Sequence, residues 1–235
     1  MTGWAEFALA YGVFGASHFL PRLGGLRARM IGMVGRRSYV AGYGAVSVLV
    51  LVWMIGASAR APFIEIWPQL DWTRRVPGMV MPVALFLAVI GVGTRSPVTL
   101  GSGRGPVLDT TRFDPNRPGL AALTRHPLLW ALALWSLSHL PPNGDLAHVL
   151  LFGGFGAMSL AAMPVFDRRA RSAMDPDEVE RLFRAAPLLS ACALFSAAWL
   201  RENARHLAAC VVIAAVLFLA ARSLHGVVIG VSPFA

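Results

Sequence analysis

The chain has 235 residues, of which 56% are apolar and only 14% charged, with a formal net charge of +9. A mean hydropathy of +0.61 lies far outside the range of soluble domains and excludes a soluble enzyme or a nucleic-acid-binding domain, since the arginines fall between apolar runs, where membrane topology explains them. The two cysteines, Cys192 and Cys210, both stand in apolar segments and exclude a disulfide framework.

The first apolar run, 4–20, lies within MTGWAEFALAYGVFGASHFL, which lacks the basic start and small-residue cleavage site of a signal peptide and therefore reads as a retained span. A loop over 21–37 carries Arg22, Arg27, Arg29, Arg36 and Arg37, and leads to spans at 39–58 and 77–94. The stretch 95–126, rich in Gly, Pro and Arg, is long for a bundle connection and is a candidate functional loop. It feeds TRHPLLWALALWSLSHLPPNGD, whose apolar run 127–140 forms a fourth span between His126 and His139. The fifth span, 145–166, contains Gly153, Gly154, Gly156 and Ala157, small residues that let helices approach closely in lipid. In the following loop, 165–186, Asp175, Asp177, Glu178 and Glu180 open a short helix, where acids suit the helix dipole. The run PLLSACALFSAAWL, 187–200, reaches about 21 Å as a helix against a hydrocarbon core of about 30 Å, so it is tilted, re-entrant or interfacial. The last span covers 206–222. The expected fold is all-α, a polytopic transmembrane helix bundle with about six spans, forming a single integral membrane domain over 1–235.

Arginine counts orient the bundle. The 21–37 loop, the 95–126 loop and the 165–186 loop, the last with Arg168, Arg169, Arg171, Arg181 and Arg184, lie on the cytoplasmic side, which places the N-terminus and the 59–76 loop outside.

Chemistry concentrates in the histidines. His126 and His139 are about 20 Å apart along a helix and serve different sites, or one site and one structural role. At the helix entry, Pro127 fits the first turn, whereas Arg125 and His126 bring positive charge to the positive end of the dipole. An anion is expected there: a lipid headgroup, a haem propionate or a cofactor carboxylate. His18 closes the first span on the same side as His126, and His139 lies on the outer side with His148 and His225. Two neutral imidazoles at one depth on different helices are what a haem iron requires. Asp145 stands in the outer turn where it is able to orient an imidazole. Cys210, one turn beyond His206, is a weak metal signal, and a caps-type interfacial role is the alternative for every helix-end histidine.

The segments SHFLPRLGGLRARMIGMVGRRSYVAGYGAVS (17–47), RAPFIEIWP (60–68), TRHPLLWALALWSLSHLPPNGDLAHVLLFGGFGAMSL (124–160), DRRAR (167–171) and HGVVIGVSP (225–233) resemble the NnrU family of bacterial membrane proteins. The resemblance implies a multi-pass protein of the bacterial inner membrane, genetically associated with denitrification and nitric-oxide reduction. The family is similar to the plant 15-cis-ζ-carotene isomerase, a haem b membrane enzyme acting on a lipid-soluble polyene. This implies haem b as cofactor, with His18, His126 and His139 in the matching motifs as metal ligands and Arg125 beside them at the cofactor. Where the isomerase shows a Cys three residues before the histidine matched by His139, this chain has Ser136. The Arg125-His126-Pro127 triplet also resembles membrane methyltransferases that bind S-adenosylmethionine through RHPxYxG, with Leu129 and Ala131 at the Tyr and Gly positions.

Three readings follow. The first is a haem b membrane protein acting in nitrogen-oxide respiration or isomerising a cis polyene. The second is a membrane methyltransferase using S-adenosylmethionine at Arg125 and His126. The third is a non-catalytic factor that supports assembly of respiratory enzyme subunits. The lipid bilayer is a partner in each, and nucleic acid in none.

Overall fold

A computed structural model describes residues 3–93 and 113–232, and among the described residues it contains eight α-helices and no strand. They are α1 (Gly3–Phe19), α2 (Leu26–Val34), α3 (Arg36–Arg60), α4 (Arg75–Gly93), α5 (Pro127–His139), α6 (Leu146–Ala173), α7 (Pro176–Ala185) and α8 (Ala197–Ile229). The described residues form two compact units, one of 3–68 with Asn143–Leu151, the other of 69–93, 113–142 and 152–232.

In the first unit α1 runs back along α3. Glu6, near the start of α1, accepts from Arg60 at the end of α3 at 2.6 and 3.1 Å and from the Trp53 indole at 3.2 Å. Gly3 permits the close approach, because a Cβ there would strike the backbone of Arg60 and Ala61. Phe7, Ala10, Met54 and Ala57 are buried in this unit. A single antiparallel bridge pairs Glu65 with Asp145, and Gly144 lies so tightly against Trp67 that no side chain fits.

In the second unit α5 lies against α4 and α6 through small residues. A Cβ at Gly91 would collide with Leu128, and one at Gly156 would come within 2.9 Å of Leu137. Ile90, Leu120, Leu123 and Cys210 form one apolar cluster, with Phe86 and Leu207 packed on it. Ala170, Val179 and Leu182 form another, completed by Phe166 and Phe183. Asp175 caps α7 as the charge pattern predicts, its carboxylate accepting from the Asp177 and Glu178 amides at 2.9 and 3.4 Å.

Among the described residues four helices are long and apolar enough to cross a membrane: Arg36–Arg60, Asp71–Gly93, Leu146–Ala173 and Ala197–Ile229. The expected count of about six is not confirmed: α1 has 17 residues and α5 has 13, and 13 residues rise about 20 Å. The arginine loop at 21–37 contains the helix α2, and the loop at 165–186 is mostly helical, being the tail of α6 followed by α7. The 187–200 run has no long helix of its own. Its last residues begin α8, and before them stands only a short 3-10 turn, Cys192–Phe195. Of the 95–126 loop, residues 95–112, with Arg95, Arg104 and Arg112, lie outside the described residues.

Candidate functional site

The Arg-His-Pro start of α5 meets a carboxylate of the chain itself. Arg125 donates to Asp167 through Nε at 2.8 Å and Nη2 at 2.6 Å, and His126 Nε2 lies 2.8 Å from Asp167 Oδ1. Asp167 comes from the last two turns of α6, beyond the apolar part of that helix. The three side chains are enclosed, His126 at 0% exposure and the Arg125 and Asp167 side chains at 9% and 10%. Arg125 also lies over the Phe183 ring at 4.4 Å, and Arg171 at 4.7 Å. Two charges so buried are stable only as a pair with good geometry, and the two-pronged guanidinium–carboxylate contact supplies it.

A short segment straps this cluster down. The Arg125 amide donates to Pro187 O at 2.9 Å and the Ser190 amide to Leu123 O at 2.8 Å. The Thr124 hydroxyl donates to Leu188 O at 2.6 Å while accepting from the His126 amide at 3.1 Å, and the Trp130 indole donates to the same Leu188 oxygen at 3.0 Å. The first residues of the 187–200 run therefore close over the entry of α5. Sequence reading named Arg125 and His126 and the need for an anion beside them; it missed Asp167, whose signal was a lone carboxylate directly after an apolar run. The donors that an S-adenosylmethionine carboxylate would use are directed to Asp167 and, from Nη1 at 3.4 Å, to Ala186 O.

The histidines divide by which ring nitrogen is engaged. A carbonyl or carboxylate oxygen only accepts, so the nitrogen facing it carries the proton. His139, at the end of α5, donates from Nδ1 to Trp135 O at 2.7 Å, which puts its lone pair on Nε2. Its ring stacks on Phe152 at 5.2 Å and lies 5.8 Å from Trp135. His18 has the same arrangement, with Nδ1 2.9 Å from Phe14 O, and its ring stacks on Phe14 at 4.1 Å and meets Tyr43 edgewise at 5.6 Å. His225 points Nδ1 to Val231 O at 2.7 Å, and His148 to Asp145 at 2.7 Å. His126 is the opposite case: Nε2 is turned to Asp167, and Nδ1 is buried with no hydrogen-bond partner among the described residues.

This distinction tests the fit to haem. An iron-binding imidazole coordinates through Nε2 with Nδ1–H held by an oxygen. His139 and His18 fit that donor chemistry. His126 does not, because its Nε2 proton is committed to Asp167 and the residue is fully buried. Among the described residues no three His, Cys, Asp or Glu side chains gather as a metal-binding group.

Ser136, one turn before His139, is fully buried and donates to Leu132 O at 2.7 Å and Ala133 O at 3.1 Å. It is a backbone-satisfied hydroxyl with no soft ligand character. No curated protein and no solved structure matches the chain. The family model described as NnrU protein matches residues 6–233, nearly the whole chain, which belongs to the NnrU family.

Proposed function

We propose that this chain is a haem b-binding membrane protein of nitrogen-oxide respiration, with His139 as an iron ligand. The observation that carries the reading is the His139 ring, whose Nδ1–H is fixed by Trp135 O at 2.7 Å so that Nε2 holds the lone pair. Phe152, Trp135 and Phe155 supply an aromatic wall around it, the kind of surface on which a flat macrocycle packs. His18 shows the same donor chemistry at its own place near the end of α1.

When bound, haem b supplies a one-electron iron centre and a coordination position for a small nitrogen oxide. The protein's own part is to fix the imidazole tautomer and to keep the surroundings apolar. Nitrogen-oxide chemistry is favoured over polyene isomerisation by Ser136, because a thiol at that place would be the soft alternative ligand and the serine hydroxyl is spent on backbone carbonyls. His126, Arg125 and Asp167 then hold the fold of the α5 entry and do not touch the iron.

The test is the visible spectrum of the purified full chain. A Soret band that disappears in His139→Ala is the expected result. Absence of any haem from protein expressed with ample haem supply would overturn the reading.

A further inference from the structure

We propose that α2 and the arginines beside it form a docking surface for anionic phospholipid headgroups. The 21–37 segment contains the helix α2, bracketed by glycines at positive φ, Gly24 and Gly25 at 56° and 72° before it and Gly35 at 78° after it. Such residues let the chain leave α1, lie down for nine residues and turn again into the membrane-length α3. A short helix placed between apolar helices in this way lies in the membrane interface.

Its surface matches that place. No residue of α2 is buried. Leu26, Met30 and Met33 recur at the spacing that forms one stripe of a helix, and Leu26, Met33 and Val34 are 42%, 76% and 55% exposed. Arg27 and Arg29 on the helix and Arg36 and Arg37 directly after it are all exposed. The sequence has no Asp or Glu between Glu6 and Glu65, so Arg27, Arg29 and Arg37 have no acidic neighbour along the chain. Apolar side chains entering the acyl boundary, with guanidiniums reaching back to phosphates, satisfy both features at once. A zwitterionic headgroup offers no net charge to balance Arg27, Arg29 and Arg37, so the occupant is a lipid of net negative charge.

The test uses the full-length chain in mild detergent, offered an equimolar mixture of phosphatidylglycerol and phosphatidylcholine, with bound lipids counted by native mass spectrometry. Wild type should retain phosphatidylglycerol preferentially. Arg27→Gln with Arg29→Gln should lower that preference by about fivefold for each arginine lost, whereas Arg74→Gln with Arg75→Gln, exposed arginines outside α2, should leave it within about twofold. Met33→Ser should reduce retention of both lipids without changing their ratio. Raising salt to about 0.5 M should shrink the preference of the wild-type protein, a readout that depends on no variant folding. Equal retention of the two lipids by wild type, or an unchanged preference in the Arg27 and Arg29 variant, would overturn the proposal.

Discussion

Replacing Asp167 with Asn keeps the shape of the side chain but removes the negative charge that Arg125 and His126 share. Asp167 accepts three hydrogen bonds of 2.6 to 2.8 Å, two of them from a guanidinium enclosed to 9% exposure. Removing one partner of a buried pair leaves the other charge uncompensated and costs about 3–5 kcal/mol. At about 2–4 °C per kcal/mol for a chain of this length, the unfolding temperature should fall by roughly 10 °C. The comparison that isolates the electrostatic origin is Arg125→Met combined with Asp167→Leu, which removes both charges. That double variant should lose less than Asp167→Asn alone, because no buried charge is then left unpaired and what remains is the His126 Nε2 proton without its acceptor, at about 1–3 kcal/mol, and the long 3.4 Å bond to Ala186 O. The assay is thermal unfolding of the purified protein in one detergent, followed by tryptophan fluorescence. An Asp167→Asn protein melting with wild type, or a double variant less stable than the single, would refute the account of a buried charge cluster.

Two further outcomes follow from local geometry. Gly156→Ala should destabilise by about 1–3 kcal/mol because its Cβ meets Leu137 at 2.9 Å and Ser136 Oγ at 3.4 Å, whereas Gly153→Ala, with nothing within 4 Å, should be neutral or stabilise by up to about 1 kcal/mol through helix propensity; matched thermal melts check the pair, and equal effects would contradict the close α5–α6 contact. Thr124→Val is nearly isosteric but deletes both the 2.6 Å bond to Leu188 O and the acceptor of the His126 amide, so it should cost about 2–4 kcal/mol and speed protease cleavage between 186 and 196; a cleavage rate equal to wild type would show that the strap is held elsewhere.

The long apolar helices were legible from sequence because a run of apolar residues in α3, α4, α6 and α8 has one physical explanation, burial in lipid. Span number is not settled by composition, since α1 and α5 are as apolar as the others and only their lengths of 17 and 13 residues set them apart. Polar ends hid the rest. The α6 tail from Asp167 to Ala173 continues the helix through DRRARSA, which by composition reads as an arginine loop, and so Asp167 was not seen as the partner of Arg125 from 42 residues away. In α2 the flanking glycines and arginines mask a nine-residue helix. For the histidines, sequence placed them at helix ends but carried no information on ring orientation. His18 and His139 each reach the carbonyl four residues earlier in their own helix, a local bond, whereas His126 is turned by a distant carboxylate.

The central claim is that His139 is a haem ligand while His126 belongs to the buried ion pair. Haem content per protein, measured by the pyridine haemochrome method on wild type, His139→Ala and His126→Ala purified side by side, tests it most directly. The account predicts haem lost from His139→Ala and retained, in a less stable protein, by His126→Ala. Full haem in His139→Ala with none in a folded His126→Ala would contradict it.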